Sequence, residues 1–146
     1  MVEKEIYDNL RELYVLMAFG SHRLLGPYRL TLEQYDTLLT LEIESGWRMG
    51  DLTKKILSDN SKMTRIVDYL EGKGLAERCP DPDDRRAQQV YLTERGAALR
   101  DEIRQVYQAA LGKWLAAFSD EQKRQAQILL NQFRDHMRTQ LEDNDV

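Results

Sequence analysis

Arg85 and Arg86 stand directly behind Asp83 and Asp84 in the stretch CPDPDDRRAQQVYLT, residues 79 to 93. Two prolines, Pro80 and Pro82, precede them, and a run of strand-forming residues follows. Guanidinium groups at the tip of a projecting hairpin have the reach and the charge to enter the narrow, electronegative minor groove of duplex DNA. Asp84 is placed to hold a neighbouring guanidinium in a bidentate ion pair and fix its direction, while the prolines restrict the loop. An ordinary solvated turn would also choose Asp81, Asp83 and Asp84 for their turn propensity. The paired arginines favour the first reading.

A second constellation lies upstream, in DNSKMTRIVDYLEGKG. At 100° per residue, Met63, Ile66, Val67 and Leu70 gather on one side of a helix, and Ser61, Arg65 and Asp68 on the other, flanked by Lys62, Thr64 and Tyr69. Arginine bonds guanine as a fork, asparagine does so with adenine, and Ser, Thr and helix N-terminal amides hold phosphate oxygens. Asn60, Ser61, Lys62, Thr64 and Arg65 are therefore the candidate contacts in a major groove. Taken alone, this face reads first as that of an ordinary solvated surface helix.

Charge bears on the choice. The 146-residue chain has a formal net charge of -4, yet residues 48–95 carry 10 basic and 9 acidic side chains, and theirs is the only positive regional balance. Their cations cluster at Lys54, Lys55, Lys62, Arg65, Arg85 and Arg86. A local field of that kind matters more to a polyanion than the overall sign, and acidic flanks discourage indiscriminate binding.

The elements that must position these groups follow from periodicity and punctuation. Ile6, Leu10, Leu13, Met17 and Leu24 mark a first helix that stops near Gly26-Pro27. Thr31 and Gln34 form a capping box for a second, carried by Tyr35, Leu38, Leu39 and Ile43 to a break at Ser45-Gly46. MGDLTKKIL makes a third, and the fourth opens on Asp59 as N-cap and closes at Gly72 or Gly74. LAERC and AQQVYL are extended arms of a hairpin whose loop is too long for a tight turn. Helical signal returns after Thr93 and runs through Leu99, Ile103, Val106, Ala110, Trp114 and Phe118, about seven turns. Ser119 and Gln122 cap a last helix with its stripe at Ala126, Leu129, Leu130, Phe133, Met137 and Leu141. A two-helix turn directly before a hairpin is the order of a winged helix-turn-helix.

In RMGDL, SKMTRIVDYLEGKGLAER and DPDDRRAQQVYLTERGAAL the chain resembles the MarR family of bacterial transcription regulators, closely over residues 47 to 99. The resemblance implies a mainly α fold: a winged helix-turn-helix lobe with a two-stranded wing at residues 31–95, flanked by N- and C-terminal dimerisation helices at 1–30 and 96–146, in one domain. The family's Asp-x-Arg wing signature falls on Asp84, Arg85 and Arg86, with Arg86 in the minor-groove position, and its Leu-Thr-x-x-Gly on Leu92, Thr93 and Gly96. LTKKILSDNS departs from it, since the family more often has Leu-Ala and an apolar-Gly turn there. The resemblance further implies a homodimer, probing a pseudo-palindromic double-stranded DNA operator as a repressor and released by a small-molecule effector. His22, Tyr28 and Tyr35 lie near the expected hinge for such an effector, although each also fits ordinary packing. The apolar stripes on residues 3–24, 94–118 and 120–142 exceed what so small a winged lobe can bury, and a two-fold contact would cover them.

Other classes fit less well. His22 and His136 are far apart, no Ser, His and acid grouping occurs on suitable loops, and no glycine-rich phosphate cradle is present, so catalysis is not expected. One cysteine and two scattered histidines do not make a zinc site, and Asp81, Asp83 and Asp84 lack the glycine and distal glutamate of a calcium loop. Neither metal nor cofactor is expected. Cys79 reads as a half-buried strand cysteine, with a redox sensor as the alternative. The first segment carries acids where a secretory signal carries basic residues, and no apolar run is long enough for a membrane, so the expected location is cytoplasmic. The runner-up function is a winged helix that docks protein instead of DNA, which would not need paired arginines at the wing tip.

Overall fold

The computed structural model describes residues 1–143. The elements, in order, are α1 (Val2–Leu25), a 3-10 turn (Gly26–Tyr28), α2 (Leu32–Thr40), β1 (Trp47–Arg48), α3 (Met49–Ile56), α4 (Asn60–Gly72), β2 (Ala76–Pro80), β3 (Gln88–Leu92), α5 (Glu94–Trp114) and α6 (Asp120–Asp143). This is the winged helix-turn-helix order, and α3 and α4 form its two-helix turn. The described residues divide into two compact units, one of Met1–Val106 and one that begins at Tyr107.

The first unit holds the core. Met63, Ile66, Val67 and Leu70 of α4 are buried, as the 3.6-residue period requires, together with Leu38 of α2, Leu52 of α3 and Val90 and Leu92 of β3. Each such side chain contributes about 1.5 to 3 kcal/mol over its exposed state. In the second unit α6 buries none of its residues, and Leu129, Leu130, Phe133 and Met137 are all at least 49% exposed.

Local chemistry explains most of the boundaries. At the start of α2 the Thr31 hydroxyl accepts the Gln34 N–H while the Gln34 side chain accepts the Thr31 N–H. Ser119 and Gln122 repeat the arrangement before α6. Asp59 caps α4 by accepting the Lys62 N–H at 2.8 Å.

The Leu-Thr-x-x-Gly motif has a structural meaning. Thr93 Oγ1 accepts the Gly96 N–H at 3.0 Å and donates to the Gly74 carbonyl at 2.6 Å, which joins the start of α5 to the end of the α4 turn. A Cβ on Gly96 would collide with the Leu75 carbonyl oxygen and the Leu92 side chain, so only glycine permits that approach.

Three expectations need correction. α2 ends at Thr40 instead of continuing through Ile43. Leu41 turns extended, and the Glu42 carbonyl then accepts the Leu92 N–H of β3 at 2.9 Å, so a bond to the central strand overrides the apolar period. α5 stops at Trp114 instead of reaching Phe118, because i to i-3 bonds from Ala116 and Phe118 tighten the chain into the Ser119 cap. The wing has two long strands, as expected, but the sheet has three, in the antiparallel order β1-β3-β2. β1 is two residues long, Trp47 opposite Val90 and Arg48 opposite Gln89, too short for any alternation to reveal it.

Candidate nucleic-acid interface

α4 presents the face expected of it. Asn60, Ser61, Lys62, Thr64 and Arg65 are all exposed, opposite the buried stripe. Their surroundings differ. Thr64 Oγ1 donates back to the Asn60 carbonyl at 2.9 Å, the usual habit of a helical threonine, which leaves its oxygen as an acceptor. Lys62 Nζ donates to Glu33 on α2, and that carboxylate raises the lysine's pKa above its ordinary value. Arg65 makes no ion pair among the described residues, so its guanidinium is available to an external acceptor. Lys54 and Lys55, in the last turn of α3, are exposed as well.

The turn between α3 and α4 is a Schellman closure. The Ser58 N–H reaches the Thr53 carbonyl at 3.0 Å, and the Leu57 N–H reaches that of Lys54 at 3.2 Å. The residue in the left-handed seat, normally glycine, is Leu57, at φ 56 and 89% exposed. This settles the turn geometry that the departure in LTKKILSDNS left open.

The wing tip is held by backbone bonds. The Asp81 N–H reaches the Ala87 carbonyl at 3.0 Å, and the Ala87 N–H reaches that of Asp84 at 3.0 Å. Arg85 and Arg86 lie at the tip, exposed and without an ion pair among the described residues. Asp84 does not hold a guanidinium, contrary to expectation. Its Oδ1 accepts the Arg86 backbone N–H at 3.0 Å, because an aspartate two residues before a donor closes an Asx turn more readily than it reaches a flexible side chain. The acid that does pair with an arginine is Asp81, whose buried carboxylate accepts Arg48 Nε at 2.8 Å. No local signal marks that pair, since its members are 33 residues apart.

Cys79 is half-buried on β2, as the strand reading expects. Of the residues near the expected hinge, Tyr35 is a core residue, His22 is exposed, and the Tyr28 hydroxyl donates to Glu102 at 3.3 Å. Burial first, and then the Glu102 charge, raise the Tyr28 pKa. Among the described residues there is no group of three or more His, Cys, Asp or Glu arranged to hold a metal ion, and no helix is long and apolar enough to cross a membrane.

Residues 30–87 match the model of the MarR family. The chain is similar to the multiple antibiotic resistance protein MarR of Escherichia coli, 33% identical over 82 residues that cover 56% of this chain and 57% of that one. It is also similar to the HTH-type transcriptional regulator PecS of Dickeya dadantii, 24% identical over 90% of this chain and 81% of that one. Among solved structures it is similar to a MarR family protein from Bacillus stearothermophilus, 26% identical, with a TM-score of 0.82 over 93% of this chain and 95% of that one.

Proposed function

From a chain whose residues 30–87 make it a member of the MarR family, we infer a DNA-binding transcription regulator. Its reading head is α4, with Asn60, Ser61, Lys62, Thr64 and Arg65 turned to the major groove, and its wing delivers Arg86, with Arg85 beside it, to the minor groove. Asp84 contributes by shaping the turn that carries them. The observation that carries this reading is the pair of exposed arginines, without an ion pair among the described residues, on a wing whose backbone is hydrogen-bonded into one shape. Cations not engaged within the protein are the groups that phosphates and groove edges can take up.

The finer reading is a homodimeric repressor on a pseudo-palindromic operator, with residues 31–95 as the DNA-binding lobe and 1–30 and 96–146 as the dimerisation region. Two features support it. α1 leaves Tyr7, Tyr14, Leu16 and Phe19 at least 58% exposed, and α6 leaves its whole stripe exposed. Apolar faces of that extent are covered by association in stable proteins, and a two-fold contact would place two copies of α4 about one helical turn, roughly 34 Å, apart. Release by a small-molecule effector completes the family pattern.

The test is enrichment of fragments from the source genome by the purified protein in excess competitor DNA, followed by footprinting. A protected inverted repeat spanning two successive major grooves is the expected result. Failure to enrich any duplex would refute the regulator reading in favour of a winged helix that docks protein.

A further inference from the structure

Asp81 is an aspartate on a surface hairpin, yet its side chain is 0% exposed, while that of its partner Arg48 is 51% exposed. A carboxylate withdrawn from water is strongly disfavoured unless donors surround it, and here the donors come from three places. Arg48 Nε reaches Oδ2 at 2.8 Å, the Asp83 N–H reaches Oδ1 at 2.9 Å, and Gln89 of β3 faces the same carboxylate. Asp81 also begins the loop closure, its own N–H bonded to the Ala87 carbonyl.

Arg48 occupies a junction. It is the N-cap residue of α3, the first helix of the two-helix turn, and it pairs with Gln89 in the sheet. The one ion pair therefore links the entry of the helix-turn-helix to the base of the segment that carries Arg85 and Arg86.

We propose that Arg48 and Asp81 are positioning residues for DNA binding: their ion pair braces the wing tip in the shape that presents Arg85 and Arg86. This rests on the DNA-binding reading above. The physical reason is preorganisation. A loop already fixed in its binding shape bears its ordering cost during folding, so a groove contact made by Arg86 retains more of its free energy. Without the brace, the Asp84 turn and the Ala87 closure would hold the tip alone, and the arginines would sample directions away from the groove.

The experiment has two arms. Trypsin cleaves after arginine, so cleavage after Arg85 or Arg86, followed by mass spectrometry, reports the order of the tip without DNA. Arg48→Met and Asp81→Asn are expected to raise that cleavage on the order of tenfold, the scale of losing one charge-assisted hydrogen bond. Arg48→Lys, which keeps the cation, should fall between wild type and Arg48→Met. Because Asp81 is buried, Arg48→Met at the exposed partner is the variant that keeps the test valid if Asp81→Asn does not fold.

The second arm is a double-mutant cycle with Arg86→Ala on a duplex enriched by the wild-type protein. Arg48→Met should weaken binding on the order of tenfold in the wild-type background and much less when Arg86 is already alanine. Unchanged cleavage overturns the brace. Equal losses of binding in both backgrounds overturn its role in presenting the arginines. If the wild type enriches no duplex, the DNA-binding reading fails and the cleavage arm alone decides the brace.

Discussion

Lys62 on the exposed face of α4 donates its ammonium to the Glu33 carboxylate on α2. The cation nearest the helix N-terminus is thus already engaged, and a DNA phosphate must share it or displace the acid. Both side chains are about half exposed, so the pair itself contributes little stability. Glu33→Gln should therefore leave the melting temperature nearly unchanged and strengthen binding to duplexes of any sequence. The slope of log affinity against log salt should steepen by about one. Anisotropy titrations on a random duplex from 50 to 200 mM salt measure this, and an unaltered slope would mean that Lys62 does not meet phosphate.

Arg86 is exposed and bears no fold-stabilising ion pair among the described residues. Arg86→Ala should weaken operator binding by about tenfold or more with little change in melting temperature, since a surface substitution away from packing lies within about 0.5 kcal/mol. Affinity equal to wild type would remove the wing from the interface.

Arg65 differs from Lys62 in having no acid to leave among the described residues. If it reads a base edge, Arg65→Ala should cost about 1 to 3 kcal/mol and relax preference at one position of each half-site. A panel of single-position operator variants measures this. A loss uniform across the panel would make Arg65 a phosphate contact.

Leu57 combines a left-handed backbone with 89% exposure. It bears the steric strain of that region and gains almost no burial in return. Leu57→Gly should raise the stability of the protein by about 0.5 to 1 kcal/mol in urea unfolding. A fall in stability would show that the leucine packs in solution.

Asp81 has its pKa held below the ordinary 3.8, first by the Asp83 N–H and further by the Arg48 charge, against the opposing effect of burial. The folded state then binds this proton less tightly than the unfolded chain does. Its contribution is therefore present above the ordinary carboxylate value and is lost as pH falls through the lower, folded value. Compared with Asp81→Asn, the wild type should show a stability difference that is constant above about pH 5 and changes against it below about pH 4. Urea unfolding from pH 3 to 7 checks this, and a difference independent of pH would mean that Asp81 titrates as an ordinary surface acid.

Much of this could be read from residues close in the chain. The caps at Thr31, Asp59 and Ser119, the buried stripe of α4 and the exposed arginines of the wing each depend on side chains within about one helical turn or one hairpin of each other. Periodicity and short-range hydrogen bonding are local properties, so composition and spacing suffice to reveal them. The end of α2, the third strand, and the partners of Asp81 and Lys62 were not legible in this way. Glu42 meets Leu92, Arg48 meets Asp81 and Glu33 meets Lys62 across 29 to 50 residues. Sequence alone determined which faces are apolar and where the chain turns. Only the tertiary structure decided which polar groups share a bond, because hydrogen bonds and ion pairs form between atoms that folding brings within about 3 Å, however distant they are along the chain.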